Sequence, residues 1–168
     1  MKVRFFLLFL AILLASGAPA PLQATPEGQV GPKTRCLVCG MFVAPYENWI
    51  VQVRLDDDRV FFFDGVKDML VFYFSPGLYT DATSRKIKEI WVKDYYSLEW
   101  LEGRSALYVI GSDVYGPMGK EFIPFSSREA AENFMADHHG TDILSFDAIT
   151  RELVESMRAG SRMRHGER

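Results

Sequence analysis

The stretch WIVQVRLDDDRVFFFDGVKDMLVFYF, Trp49 to Phe74, changes its hydrophobic period once, and that change decides the fold. Trp49, Val51, Val53 and Leu55 alternate with Gln52 and Arg54, the period-2 pattern of a half-buried strand. Asp56-Asp57-Asp58 makes a turn, and Arg59 to Phe63 returns as the second strand of a hairpin. From Asp64, placed to cap a helix, the period lengthens: Val66, Met69, Leu70 and Tyr73 share one face at i, i+3, i+4 and i+7. Pro76 and Gly77 stop that helix, and a hairpin that feeds a helix within one short segment marks an α+β protein.

Downstream the same grammar recurs. Lys120 to Phe125 reads as a strand, and Ser126-Ser127-Arg128-Glu129 as a capping box opening a helix that carries Ala130, Ala131, Phe134 and Met135. Aligning Phe63-Asp64 with Phe125-Ser126 also brings Phe72 onto Phe134, and each half has a Gly/Met element upstream of its helix, Cys39-Gly40-Met41 and Gly116-Pro117-Met118-Gly119. We read this as an internal duplication. Between the halves, Ile87 to Val92 and Ala106 to Ile110 are expected strands, separated by a capped or helical stretch around Ser97 to Leu101. A last helix is expected from about Phe146 to Met157, with Ile149, Leu153 and Met157 on one face.

The ends bound the compartment. Lys2 and Arg4, an apolar run from Phe5 to Ala15, then Gly17, Pro19 and Pro21 form a signal peptide over residues 1–24. The run falls short of the roughly 20 residues a membrane-spanning helix needs. The expected product is periplasmic and soluble, and it lacks a cysteine at the cleavage site, so it is not an evident lipoprotein. Residues 25–35 read as a flexible leader and 160–168 as a polar, disordered tail. Cleavage removes Lys2 and Arg4, taking the formal charge from −3 to about −5, which argues against a generic polyanion such as nucleic acid as partner.

The chemistry concentrates in Cys36-Leu37-Val38-Cys39-Gly40-Met41, where both cysteines of the chain stand beside a methionine. Three readings compete. A disulfide closing so short a loop contributes little stability. Thiol-disulfide exchange asks for a cysteine at a helix N-terminus, and Gly40 with Pro45 opposes a helix directly after Cys39. Two thiolates and a thioether form a soft donor set suited to Cu(I). Zinc would need two further ligands; His138-His139 beside Gly140 reads better as a solvated helix C-terminus. Met69, Met135 and Met157 lie on helix faces and read as packing, whereas Met118, held in a turn between Pro117 and Gly119, is as well placed to be a ligand as to fill a core. Asp113 is a candidate ligand or a turn former.

Cys-x-x-Cys-Gly-Met-Phe-Val-Ala-Pro-Tyr, Phe-Phe-Asp-Gly-Val-Lys-Asp-Met and Tyr-Gly-Pro-Met-Gly-x-Glu-x-Ile-Pro-Phe follow one another in an order and spacing that resembles the NosL family, accessory proteins of nitrous oxide reductase. More loosely, the cysteine-methionine loop resembles the treble-clef metal sites called TRASH domains. The resemblance spans about Cys36 to Phe134 and implies two small related ββαβ units, here about 36–85 and 86–159 of a domain running from 36 to 159. It implies a periplasmic Cu(I) chaperone rather than an enzyme, delivering copper to a client, nitrous oxide reductase. It places copper ligands on Met118, Cys36 and Cys39; Met41, after a glycine and beside Cys39, is by its own chemistry as well placed to be a further ligand as to fill a core. Many members carry histidine two positions after that methionine; here the residue is Lys120, whose ammonium offers no lone pair. Two other functions stay open: a thiol oxidoreductase with Cys36 as attacking thiolate, and a structural domain closed by a disulfide.

Overall fold

In the computed structural model β1 (Val51–Leu55) is the centre of a sheet because Val51, Val53 and Leu55 are all buried. The structure describes residues 26, 30–81 and 87–165, with side chains to residue 159; the expected signal peptide lies outside them. Residues 44–49 form a 3-10 turn that ends on Trp49, so the first strand starts at Val51 rather than at Trp49. Asp58, in the left-handed region at φ 63°, helps turn the chain into β2 (Val60–Phe63), which returns antiparallel with Val51 opposite Phe63. Helix α1 (Val66–Phe74) follows, and β3 (Ile87–Lys93) lies antiparallel on the other side of β1. β4 (Trp100–Glu102) extends the sheet to the order β2-β1-β3-β4.

The second unit repeats this topology. β5 (Leu107–Ile110) is central, β8 (Ile123–Phe125) pairs on one side, α2 (Arg128–Asp137) follows, and β9 (Asp142–Ser145) pairs on the other. Both units are ββαβ with the first strand in the middle, and Phe72 and Phe134, aligned in sequence, are both fully buried. Beyond β4, which among the described residues only the first sheet has, the correspondence also fails at one loop. A small hairpin, β6 (Tyr115–Gly116) and β7 (Gly119–Lys120), interrupts the β5–β8 connection where the first unit has only its aspartate turn. The Gly-Pro-Met-Gly element is therefore an insertion, not the counterpart of Cys39-Gly40-Met41. A third helix, α3 (Arg151–His165), packs against α1 and β7, and Arg151 donates to Ser75 Oγ and Phe74 O at the C-terminal end of α1.

Several expectations need correction. β3 and β4 lie past residue 85 yet belong to the first sheet, which runs to Glu102, because a ββαβ unit is closed by its third strand. Residues 95–97 form a turn rather than a helix: Asp94, not Ser97, accepts the Tyr96 and Ser97 N–H groups, and Leu98 takes φ 59°. Ser127, not Ser126, caps α2 by accepting from Ala130 N, while Ser126 N donates to Asp94 Oδ2. The strand expected from Lys120 to Phe125 is split at Glu121 and Phe122. The last helix begins at Arg151, preceded by β9 and a 3-10 turn over Phe146–Ala148, and continues through residues 160–165, where a tail is expected. Pairing also starts before Cys36: Thr34 N donates to Gly31 O, and Arg35 bridges Phe42. Met69 is buried, and Met135 and Met157 pack against core residues, the packing role read from the sequence. Among the described residues no helix is long and apolar enough to cross a membrane.

Asp94 joins the units, since its carboxylate holds the β3–β4 turn and the start of α2 together. Burial works to raise its pKa, but the N–H groups of Ser97, Ser126 and Tyr96 prevail and hold it below the usual value. A depressed pKa contributes stability that is present above the unfolded value near 4 and is lost as pH falls through the folded value. Asp94→Ala should cost about 2–3 kcal/mol by leaving N–H groups without acceptors, seen as a lower urea midpoint at pH 7. An unchanged midpoint would show that water satisfies those donors equally well.

Candidate metal centre

The cysteine loop is folded by its own backbone. Cys36 N donates to Met41 O and Gly40 N to Cys36 O, both at 2.9 Å, while Val43 N donates to Thr34 O at 3.0 Å. Gly40 makes the tight turn possible at φ +78°, a left-handed conformation that costs a glycine nothing and a side chain about 1 kcal/mol or more. Arg35 clamps the loop from outside, its Nη1 donating to Gly40 O at 2.7 Å and its guanidinium lying over the Phe42 ring. Both cysteines are free thiols.

Opposite this loop stands the start of α1. Asp64 precedes the N-cap residue Gly65, and Asp68 lies in the first turn, so the two carboxylates, four residues apart, come to one side. Cys36 Sγ donates to Asp68 Oδ2 at 3.5 Å, and Cys39 Sγ lies 3.3 and 3.4 Å from the two Asp64 oxygens. One ligand atom from each of Cys36, Cys39, Asp64 and Asp68 falls within 4.8 Å of the others. Cys36, Asp64 and Asp68 are buried at 2%, 1% and 5% exposure, whereas Cys39 is half-buried and lines a surface depression with Met41, Phe42 and Tyr46. The neighbouring Cys36 thiol and burial push the Cys39 thiol well above the ordinary range, and burial raises Asp68 against the thiols that donate to it. Both thiols thus find carboxylate acceptors within the cluster. Two thiolates with two carboxylates suit a borderline divalent ion such as zinc, while the thiolates with a thioether suit Cu(I).

Asp64 does not cap the helix, as the sequence suggested; it faces a thiol. The cap is supplied from the second unit. Glu121 Oε1 accepts Lys67 N at 2.5 Å and Phe122 N at 2.9 Å. Gly65 leaves room for it, because a Cβ there would lie 2.3 Å from Glu121 Oε2. Beside it Lys67, 2% exposed, donates from Nζ to Met118 O and Lys120 O, both at 2.7 Å.

The four residues marked as ligands therefore divide. Cys36 and Cys39 come together, and Met41 shares the surface depression with Cys39. Met118 sits in the β6–β7 turn and is tied by its carbonyl to Lys67, one residue from Asp68. Sequence reasoning missed Asp68 and took Asp64 for a cap; their spacing at a helix start was the available signal. His138 is the C-cap residue of α2 and pairs through Nδ1 with Asp113 Oδ1 at 3.0 Å, which accounts for both residues without a metal.

The NosL family model matches residues 27–154 of the chain. Among solved structures, the crystal structure of the copper chaperone NosL from Shewanella denitrificans superposes with a TM-score of 0.65 at 23% identity, covering 76% of this chain and 97% of that one. The solution structure of apo-NosL from Achromobacter cycloclastes aligns at a TM-score of 0.46 and 28% identity, over 62% of this chain and 87% of that one. No curated protein matches the chain.

Burial pushes the Glu121 carboxyl up to about 8, against the pull of Lys67 and the two N–H groups. The folded value lies above the unfolded one of about 4.3, so the folded state holds the extra proton between them. The stability from this group is fully present below about pH 4 and is lost as pH rises through 8. Glu121→Gln keeps an acceptor oxygen and abolishes the titration, so urea midpoints measured from pH 5 to 9 should fall less steeply in the variant. Equal slopes would mean that the carboxylate is ionised throughout. Glu121→Ala should cost about 2 kcal/mol or more, since it orphans the Lys67 and Phe122 N–H groups.

Proposed function

The chain belongs to the NosL family, and from that premise we propose that it is a periplasmic copper carrier, not an enzyme, which holds Cu(I) on sulfur and passes it to a client protein, nitrous oxide reductase. The observation that carries this reading is the convergence of both free thiols on one cluster whose half-exposed member, Cys39, borders a surface depression lined by Met41. Cys36 and Cys39 supply thiolates once their protons are displaced, and Met41 and Met118 supply thioethers. Cu(I) accepts low coordination numbers and soft donors, so a client thiol or imidazole can enter before the carrier's last ligand leaves. The Shewanella denitrificans protein of the same fold is a copper chaperone, which agrees with this reading.

The oxidoreductase reading has less support. A catalytic cysteine needs a lowered pKa, usually from a helix N-terminus. Here Cys36 lies in a turn, the helix N-terminus opposite presents carboxylates, and Cys39 is pushed upward. Asp64 and Asp68 instead resemble the acceptors of a metal cluster at rest. They give both thiols partners when no metal is bound.

Anaerobic titration of the reduced protein with Cu(I) against a colorimetric chelator should reveal about one tight site, weakened in Cys36→Ser/Cys39→Ser and in Met118→Ala. Failure of the wild-type protein to retain Cu(I) against a weak competitor would end the carrier reading. Retention by both variants would move the site elsewhere. Because binding displaces thiol protons, the apparent affinity should also rise with pH.

A further inference from the structure

The mechanism proposed above uses Met118 but does not explain how a methionine on a two-stranded hairpin of two residues each is kept in place. Such a hairpin is too small to hold its own geometry. The buried Lys67 side chain accounts for it. Its ammonium donates to the carbonyls of Met118 and Lys120, on either side of Gly119, whose φ of +89° turns the chain between them. Glu121, the next residue along, bonds back to Lys67 N, so side chain and backbone of one helical residue grip the hairpin at both ends of a four-residue segment. The same helix start carries Asp68 in its first turn, with Asp64 just ahead of the N-cap, and these two bond the thiols.

We propose that Lys67 is a positioning residue for copper binding, which fixes the Met118 turn against the α1 terminus that carries the thiol-carboxylate cluster. It touches no metal. An ammonium suits the task because it offers three donors and no acceptor, so it can hold two carbonyl oxygens at once while its stem packs in the interior. A buried charge is kept only where it is paired and hydrogen-bonded, and the carbonyls of the hairpin supply part of what it needs. The hairpin and the lysine thereby fix each other. Hydrogen bonds that orient a ligand's backbone act on affinity without entering the coordination sphere, and loss of such support typically weakens metal binding about 10–100-fold.

The inference rests on Met118 as a copper ligand, so the test must separate the two. Cu(I) affinity of the full mature chain is measured by chelator competition for wild type, Lys67→Met, Lys67→Gln, Met118→Ala and the Lys67→Met/Met118→Ala double variant. Circular dichroism reports the fold, and Cd(II)-thiolate absorption reports the cysteine cluster. The expected result is a loss of about 10–100-fold in Lys67→Met, a smaller loss in Lys67→Gln, which keeps a donor, and an unchanged Cd(II) band in both. In the Met118→Ala background Lys67→Met should cost nothing further, the non-additivity that a shared role requires and general destabilisation does not produce. Wild-type Cu(I) affinity in folded Lys67→Met or Lys67→Gln, with Met118→Ala impaired, overturns the positioning role and leaves the copper reading intact. No effect of Met118→Ala in the wild-type background overturns the positioning role together with Met118 as a ligand, and leaves a copper site on the thiols to be judged by the double cysteine variant. If Lys67→Met does not fold, Lys67→Gln with its own Met118→Ala double variant decides by the same criteria.

Discussion

A single buried cation decides how the two halves of this protein meet. Lys67 stands in the first turn of α1, where the exposed N–H groups carry partial positive charge and an ammonium is the wrong sign. The surroundings offset it with acceptors: the carbonyls of Met118 and Lys120 bind the ammonium, and the Glu121 carboxyl takes the backbone N–H of the same residue. Glu121 thereby serves the N-terminal end of the helix as its cap. Removal of either carbonyl contact would leave the buried ammonium desolvated without part of its support.

The duplication shows what was altered to make the site. In the second unit α2 begins conventionally, with Ser127 accepting Ala130 N as a local cap. In the first unit the residue before the helix is Gly65, with no side-chain cap of its own, and Glu121 reaches over from the second unit to serve instead. Borrowing the cap releases Asp64 to face Cys39. The hairpin that carries Met118 occupies the loop between the central and second strands, where the first unit has a bare turn. Symmetry therefore provides the scaffold, and departures from symmetry provide the chemistry.

What could be read from the sequence follows the range of the interactions. β1, α1 and α2 were legible because apolar residues recur along each at one clear period, even though burial also takes in polar residues such as Gln52 and Lys67. β4 and β9, three and four residues long, are set by pairing with β3 and β5 rather than by any pattern of their own. Cys36 and Cys39 were legible from local chemistry, but Asp68 was not, because a helical aspartate means nothing until the loop 32 residues away folds against it. The role of Lys67 was equally hidden, since the carbonyls it holds are 51 and 53 residues distant and backbone oxygens leave no trace in a sequence. The bond from Ser126 N–H to Asp94, 32 residues upstream, was hidden for the same reason.

The cluster also shows how a soft metal site can be kept in waiting. Two thiols in a buried loop with no acceptor would pay for desolvation without return, and a thiolate there would pay far more. Asp64 and Asp68 accept the thiol hydrogens, which holds the sulfurs in position, and the neighbouring Cys36 thiol together with burial raises the Cys39 thiol. The pair is not symmetrical: Cys36 is 2% exposed, while Cys39 is half-buried at the depression beside Met41. On the function proposed above, a metal arriving from solvent would meet Cys39 first, and an S–H to carboxylate bond is a weak one that a metal-sulfur bond readily outweighs. The buried thiol would then close the site from inside. An arrangement with both sulfurs exposed would bind faster but leave them open to oxidation, and one with both buried would bind only as fast as the loop opened. One exposed and one buried thiol is the compromise that reversible loading of a carrier would require.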